Sequence, residues 1–68
     1  MKVYCVLLDA NGREINCGSS WQQLDQRRSL DWLVDTANGL LKSYEHIGAQ
    51  GVKIVRFSST GEEVVFKS

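Results

Sequence analysis

The sequence predicts an α+β domain of the ββαββ type, a four-stranded antiparallel sheet with one long helix packed on one face. Three observations carry this. Two runs of β-forming residues are each broken by a short turn that ends in glycine, one near each end of the chain. Between them lies a stretch with strong helical periodicity. The chain has 68 residues and no proline, repeat or low-complexity segment, so residues 1–68 read as a single small α+β domain.

Residues 2–8, Lys-Val-Tyr-Cys-Val-Leu-Leu, are rich in strand formers. Asp9-Ala10-Asn11-Gly12 follows. Asp suits the first position of a type I turn and Gly the left-handed position that closes it. This is a three-residue hairpin loop with a glycine bulge, and residues 13–17 form the return strand. Asp9 then stands opposite Arg13, Leu7 opposite Ile15 and Cys5 opposite Cys17, with Val3, Cys5, Leu7, Ile15 and Cys17 on the core face. A two-residue Asn-Gly turn is the alternative, and it would move the cysteines to opposite faces.

The C-terminal third follows the same logic, with strands over 52–57 and 62–67 joined through Ser58-Ser59-Thr60-Gly61. Both faces of this hairpin are apolar. Val52, Ile54, Val64 and Phe66 lie on one, and Val55, Phe57 and Val65 on the other. One face packs on the helix, which leaves the second to be explained.

Within the helical stretch, Leu30, Leu33, Val34, Ala37, Leu41 and Tyr44 fall in one arc of about 100° and form the core face. Leu40 and Ile47 extend one edge. Gly48 and Gly51 mark the end. The start has two solutions. Ser20-Trp21-Gln22-Gln23 matches a capping box with Ser20 as N-cap. Alternatively the helix begins at Ser29, a good N-cap that puts Asp31 in the favoured first turn.

Trp32 lies about 150–160° from the centre of the core arc. In a helix continuous from Ser20, Trp21, Leu24, Arg28 and Trp32 would share one outward stripe. Trp and Arg are enriched at binding hot spots, and contiguous exposed apolar surface on a small domain marks an interface. These four residues are therefore the candidate partner-binding site, for a different protein or for a second copy in a homodimer. If the helix starts at Ser29, Trp21 and Leu24 fold back over the core edge instead.

Composition limits the other classes. Eight basic residues balance eight acidic ones, so net charge gives no support to a strongly basic nucleic-acid binder. A local patch remains as the alternative, with Arg27, Arg28, Lys53 and Arg56 for phosphates and Trp21 and Trp32 for base stacking. The acidic residues Asp25, Asp31 and Asp35 interleave with the helical arginines and oppose it. The single histidine, His46, and the cysteines at 5 and 17 match no metal or redox spacing. A Cys–His dyad would need a thiol that faces the core. Asp31 and Asp35 read as a solvated acidic edge. No catalytic set, metal site or cofactor is expected. The apolar run 3–8 ends at Asp9, too short for a signal core or a membrane span, so the expected compartment is the cytoplasm. The reading is a non-enzymatic protein-binding module, a small accessory or inhibitory protein of the kind phages and mobile elements encode.

Overall fold

A computed structural model describes residues 2–15 and 21–68. Four strands, β1 (Lys2–Leu8), β2 (Trp21–Leu24), β3 (Gly51–Ser58) and β4 (Gly61–Lys67), form one antiparallel sheet in the order β2-β1-β3-β4. A single α-helix, α1 (Leu30–Ser43), lies in the chain between β2 and β3 and is followed by a 3₁₀ turn over Glu45–Ile47. This is the expected ββαββ arrangement. No helix among the described residues is long and apolar enough to cross a membrane.

The first loop forms as the residues dictate. Asp9 Oδ1 accepts from the backbone N–H of Asn11 at 2.8 Å and of Arg13 at 3.0 Å. Gly12 takes the left-handed conformation, φ +77°, where a Cβ would be strained. The Asp9 N–H donates to the Arg13 carbonyl at 2.8 Å and that of Ile15 to the Leu7 carbonyl at 3.1 Å, so the predicted register holds to this point. Over the described residues of the predicted return strand, 13–15, the pairing is one bridge, Leu8 with Glu14. On the edge of β1 away from β3, a strand over Trp21–Leu24 pairs with it, with Val6 opposite Trp21, Cys5 opposite Gln22 and Val3 opposite Leu24. The Cys5–Cys17 pairing falls on residue 17, outside the described residues, and Cys5 has Gln22 as its neighbour on that side instead.

Residues 21–24 are therefore a strand, and α1 does not run back to Ser20. The physical reason is burial. A strand points Leu24 and Trp21 to opposite faces, so Leu24 is buried beside Val3 while Trp21 packs on the other side. A helix would have left both on one outward stripe. A turn held by Asp25, whose Oδ1 accepts from Arg27 N–H at 3.0 Å, separates β2 from α1. Ser29 then caps the helix, its Oγ accepting from Trp32 N–H at 3.3 Å, and Asp31 occupies the first turn. At the far end Gly48, φ +97°, closes the 3₁₀ turn in the left-handed region.

The core lies between α1 and one sheet face. Val3, Cys5 and Leu7 from β1, Leu24 from β2, Val52 and Ile54 from β3, Leu33 and Ala37 from α1, and Ala49 are buried there, flanked by Ile15, Val34, Leu40, Leu41, Tyr44, Val65 and Phe66. Two helical positions assigned to the core are not in it. Leu30 opens the first turn of α1 and is 49 % exposed, and Ile47 belongs to the 3₁₀ turn and is exposed as well.

The register of β3 with β4 shifts between Ile54 and Val55, a β-bulge that adds a residue to β4 and changes which side chains face which way. Phe66 stands opposite Ile54 and Val64 opposite Val55. Val64 therefore shares the outer face with Val55, and Val65 joins Phe66 against the core. Strict alternation had assigned Val64 and Val65 the other way round.

Candidate docking surfaces

The sheet has a second apolar face that α1 does not cover. Val6, Leu8 and Val55 form its floor, with Phe57 packed on them. Tyr4, Trp21 and Phe57 make a cluster of three rings, with centroids 5.8 Å apart for Tyr4–Trp21, 5.7 Å for Tyr4–Phe57 and 6.1 Å for Trp21–Phe57. Tyr4 meets each of the other two rings edge-to-face, a geometry favourable beyond area burial. The indole N–H of Trp21 donates to Glu14 Oε1, and Glu14 Oε2 lies 3.7 Å from Lys53 Nζ. Trp21 is thus anchored at its polar end as well as along its ring.

The helix side carries a different arrangement. Trp32 projects from the first turn of α1 and is 39 % exposed. The Arg28 guanidinium lies 5.1 Å from the centroid of its ring, within cation–π range. Asp25 holds both neighbouring arginines, at 3.1 Å from Arg27 Nε and 3.5 Å from Arg28 Nε. The hydrogen bonds from Arg27 keep the Asp25 carboxyl below its ordinary value and, reciprocally, raise the Arg27 guanidinium. Arg28 is therefore fixed from two sides.

Of the four residues predicted as one stripe, only Arg28 and Trp32 come together. Leu24 is in the core and Trp21 belongs to the opposite sheet face. The four cations considered for nucleic acid are also dispersed. Arg27 and Arg28 share Asp25, Lys53 faces Glu14 on the outer sheet face, and Arg56 pairs with Glu63 at 3.1 Å. No protein-family model, curated protein or solved structure matches this chain.

One feature escaped the sequence reading. Trp32, Thr36, Gly39 and Ser43 follow the i, i+4, i+7, i+11 spacing of a single helical stripe. Beyond the indole this stripe is a lane of small residues. A Cβ built on Gly39 would meet nothing within 4 Å, so packing inside the domain does not require glycine there. Glycine in a helix interior costs roughly 0.5–1 kcal/mol relative to alanine. The signal was the glycine itself, at a helical position with no turn to make.

The remaining chemistry is sparse. Among the described residues no group of three or more His, Cys, Asp or Glu is placed to hold a metal ion. His46 stacks on Tyr44, ring centroids 6.3 Å apart. Cys5 is fully buried, and burial pushes its thiol up to about 11. A thiolate nucleophile at neutral pH is opposed by that environment. The thiol stays protonated in the fold while the unfolded chain ionises from its ordinary 9.0, so the contribution of Cys5 to stability is complete below about pH 9 and is lost as pH rises toward 11. Comparison of the parent with Cys5→Ala by urea denaturation across this range isolates the effect: the parent should lose stability with pH faster than the variant. Parallel curves would show that the thiol is not desolvated.

Proposed function

We propose that the protein is a non-enzymatic binding module that docks on a larger protein through the outer face of α1, in the manner of a small accessory or inhibitory protein. The observation that carries this reading is the Arg28–Trp32 pair. An indole stands more than one third exposed on the helix, with a guanidinium already stacked on it. Burying Trp32 against a partner needs little ordering, because the cap bond at Ser29 holds the Trp32 backbone and the Asp25 ion pair holds the Arg28 guanidinium. Pre-organised aromatic and arginine side chains are what dominates interface energetics. The small-residue lane beyond Trp32 supports the same reading, since it lets a partner's backbone approach the helix closely.

The reading predicts two separable effects. Trp32→Ala should weaken partner binding by 2 kcal/mol or more, about thirtyfold, as hot-spot truncations do. Gly39→Ala should stabilise the isolated domain by about 0.5–1 kcal/mol and yet weaken binding, because the new methyl occupies the lane. The measurement is stoichiometric capture of a partner from native lysate, followed by titration of the purified partner with parent, Trp32→Ala, Arg28→Ala and Gly39→Ala proteins. If all three variants fold and bind as the parent does, the outer helix face is not the docking site. Capture of nucleic acid with a steep salt dependence would replace this reading with a phosphate-binding one.

A further inference from the structure

We propose that the sheet face turned away from α1 is the interface of a weak, two-fold symmetric homodimer in which the sheets stack face to face and β4 lies antiparallel over β4 of the second copy. The surface is distinct from the helix face, so this inference stands or falls independently of the function proposed above.

On the outer face Phe57 stands opposite Glu62, Val55 opposite Val64, and Lys53 opposite Lys67. Along β3 these partners are evenly spaced, two residues apart. Along β4 the bulge absorbs one residue, so Glu62 and Lys67 lie one step either side of Val64 on the same face. The outer edge of this face is therefore an acid, an exposed valine and a base in a row, with Val64 50 % exposed. Neither Glu62 nor Lys67 has an ion-pair partner among the described residues. Lys67 instead faces Lys53 across the strand pair, and like charges placed directly opposite are destabilising.

Now place a two-fold axis in the plane between two such faces, perpendicular to the strands, at the level of Val55 and Val64. It sets Val64 over Val64 and Tyr4 over Tyr4. Because the two charges of β4 are disposed evenly about that level, it also sets Glu62 of each copy over Lys67 of the other, while Lys2, two strands away on the same face, comes over Val6. One row of three side chains becomes two symmetric ion pairs flanking an apolar contact. The neutral net charge of the chain adds no long-range repulsion between copies. This charge complementarity under the dyad selects a second copy as the occupant; an isologous interface requires a patch of this self-matching kind.

Area sets the strength. Four strands spaced about 4.8 Å apart and 7, 4, 8 and 7 residues long span on the order of 400 Å² per copy, less than the roughly 800 Å² per partner of a standard stable interface. The dimer is expected to exchange rapidly, with half-association at tens to hundreds of micromolar.

Sedimentation velocity from about 10 µM to 1 mM tests this, with circular dichroism to verify that each variant is folded. The parent should move from monomer to dimer over that range. Val64→Asp should remain monomeric at every concentration. Glu62→Lys and Lys67→Glu should each weaken association about tenfold, and the double swap Glu62→Lys/Lys67→Glu should restore it. A parent that stays monomeric at 1 mM overturns the proposal, as does a folded Val64→Asp protein that dimerises like the parent. If the double swap is no better than the singles, the antiparallel β4-over-β4 geometry is wrong.

Discussion

Replacing Ile54 with alanine should lower the unfolding free energy by about 3 kcal/mol, while Val64→Ala should change it by less than about 0.5 kcal/mol. The two positions lie near one another on adjacent strands and differ by one methylene. Ile54 has no exposed surface, sits between Cys5 on β1 and Phe66 on β4, and meets the helix side of the core. Its truncation removes transfer free energy and leaves a cavity under α1 that three strands cannot close around. Val64 faces outward on an edge strand and has little to lose. The contrast matters because the domain is small. At roughly 0.05–0.15 kcal/mol per residue, a chain of 68 residues holds only on the order of 3–10 kcal/mol in total. Ile54→Ala therefore takes a third or more of it. Urea denaturation of the two variants beside the parent measures both numbers. A cost below about 1 kcal/mol at Ile54 would mean that β3 is not the centre of the core.

How much of this architecture is legible in the sequence depends on whether a residue type has one local solution or two. Asp9 and Gly12 have one. A carboxylate that can accept from Asn11 and Arg13, with glycine three residues later, specifies the loop and its register, and the fold contains both. The helix core face is equally legible from Leu33, Val34, Ala37, Leu41 and Tyr44, because a spacing of three and four sustained over a dozen residues fits no strand. Residues 21–24 have two solutions. A four-residue segment with apolar ends satisfies a helical turn and a strand alike, and only the place of Leu24 beside Val3 decides between them. That decision is tertiary, and it is what divided the expected tryptophan stripe between two faces. Ser20 and Ser29 both look like caps for the same reason. The β4 bulge has no local signature either: Val64 and Val65 are interchangeable by pattern, and the register across β3 assigns their sides. Trp32 was legible because a start at Ser29 and a start at Ser20 both leave it turned away from the core; Arg28 was expected beside it only from the longer helix, and it is the Asp25 turn that brings it there.

The two tryptophans carry the clearest separation between structure and recognition. By exposure they are nearly the same, 37 % for Trp21 and 39 % for Trp32, and exposure alone would predict equal costs of truncation. Their surroundings differ. Trp21 meets two aromatic rings, donates to Glu14 and shelters Val6, its neighbour across the strand pair. Trp21→Ala should remove that cover from the outer sheet face and leave Glu14 without its donor, costing about 2–3 kcal/mol, somewhat under the range for fully buried aromatics. Among the described residues Trp32 meets no second ring and its indole N–H donates to no side chain, the Arg28 guanidinium being its ring partner, so Trp32→Ala should cost less, about 1 kcal/mol, the size of an exposed cation–π contact. Thermal and urea unfolding of the two single variants, with near-ultraviolet dichroism to follow the ring cluster, reads the difference. The aromatic dichroism should collapse mainly with Trp21. Equal losses of stability would mean that Trp32 is also part of the framework, and an indole needed to hold the fold together would no longer be left over for a partner.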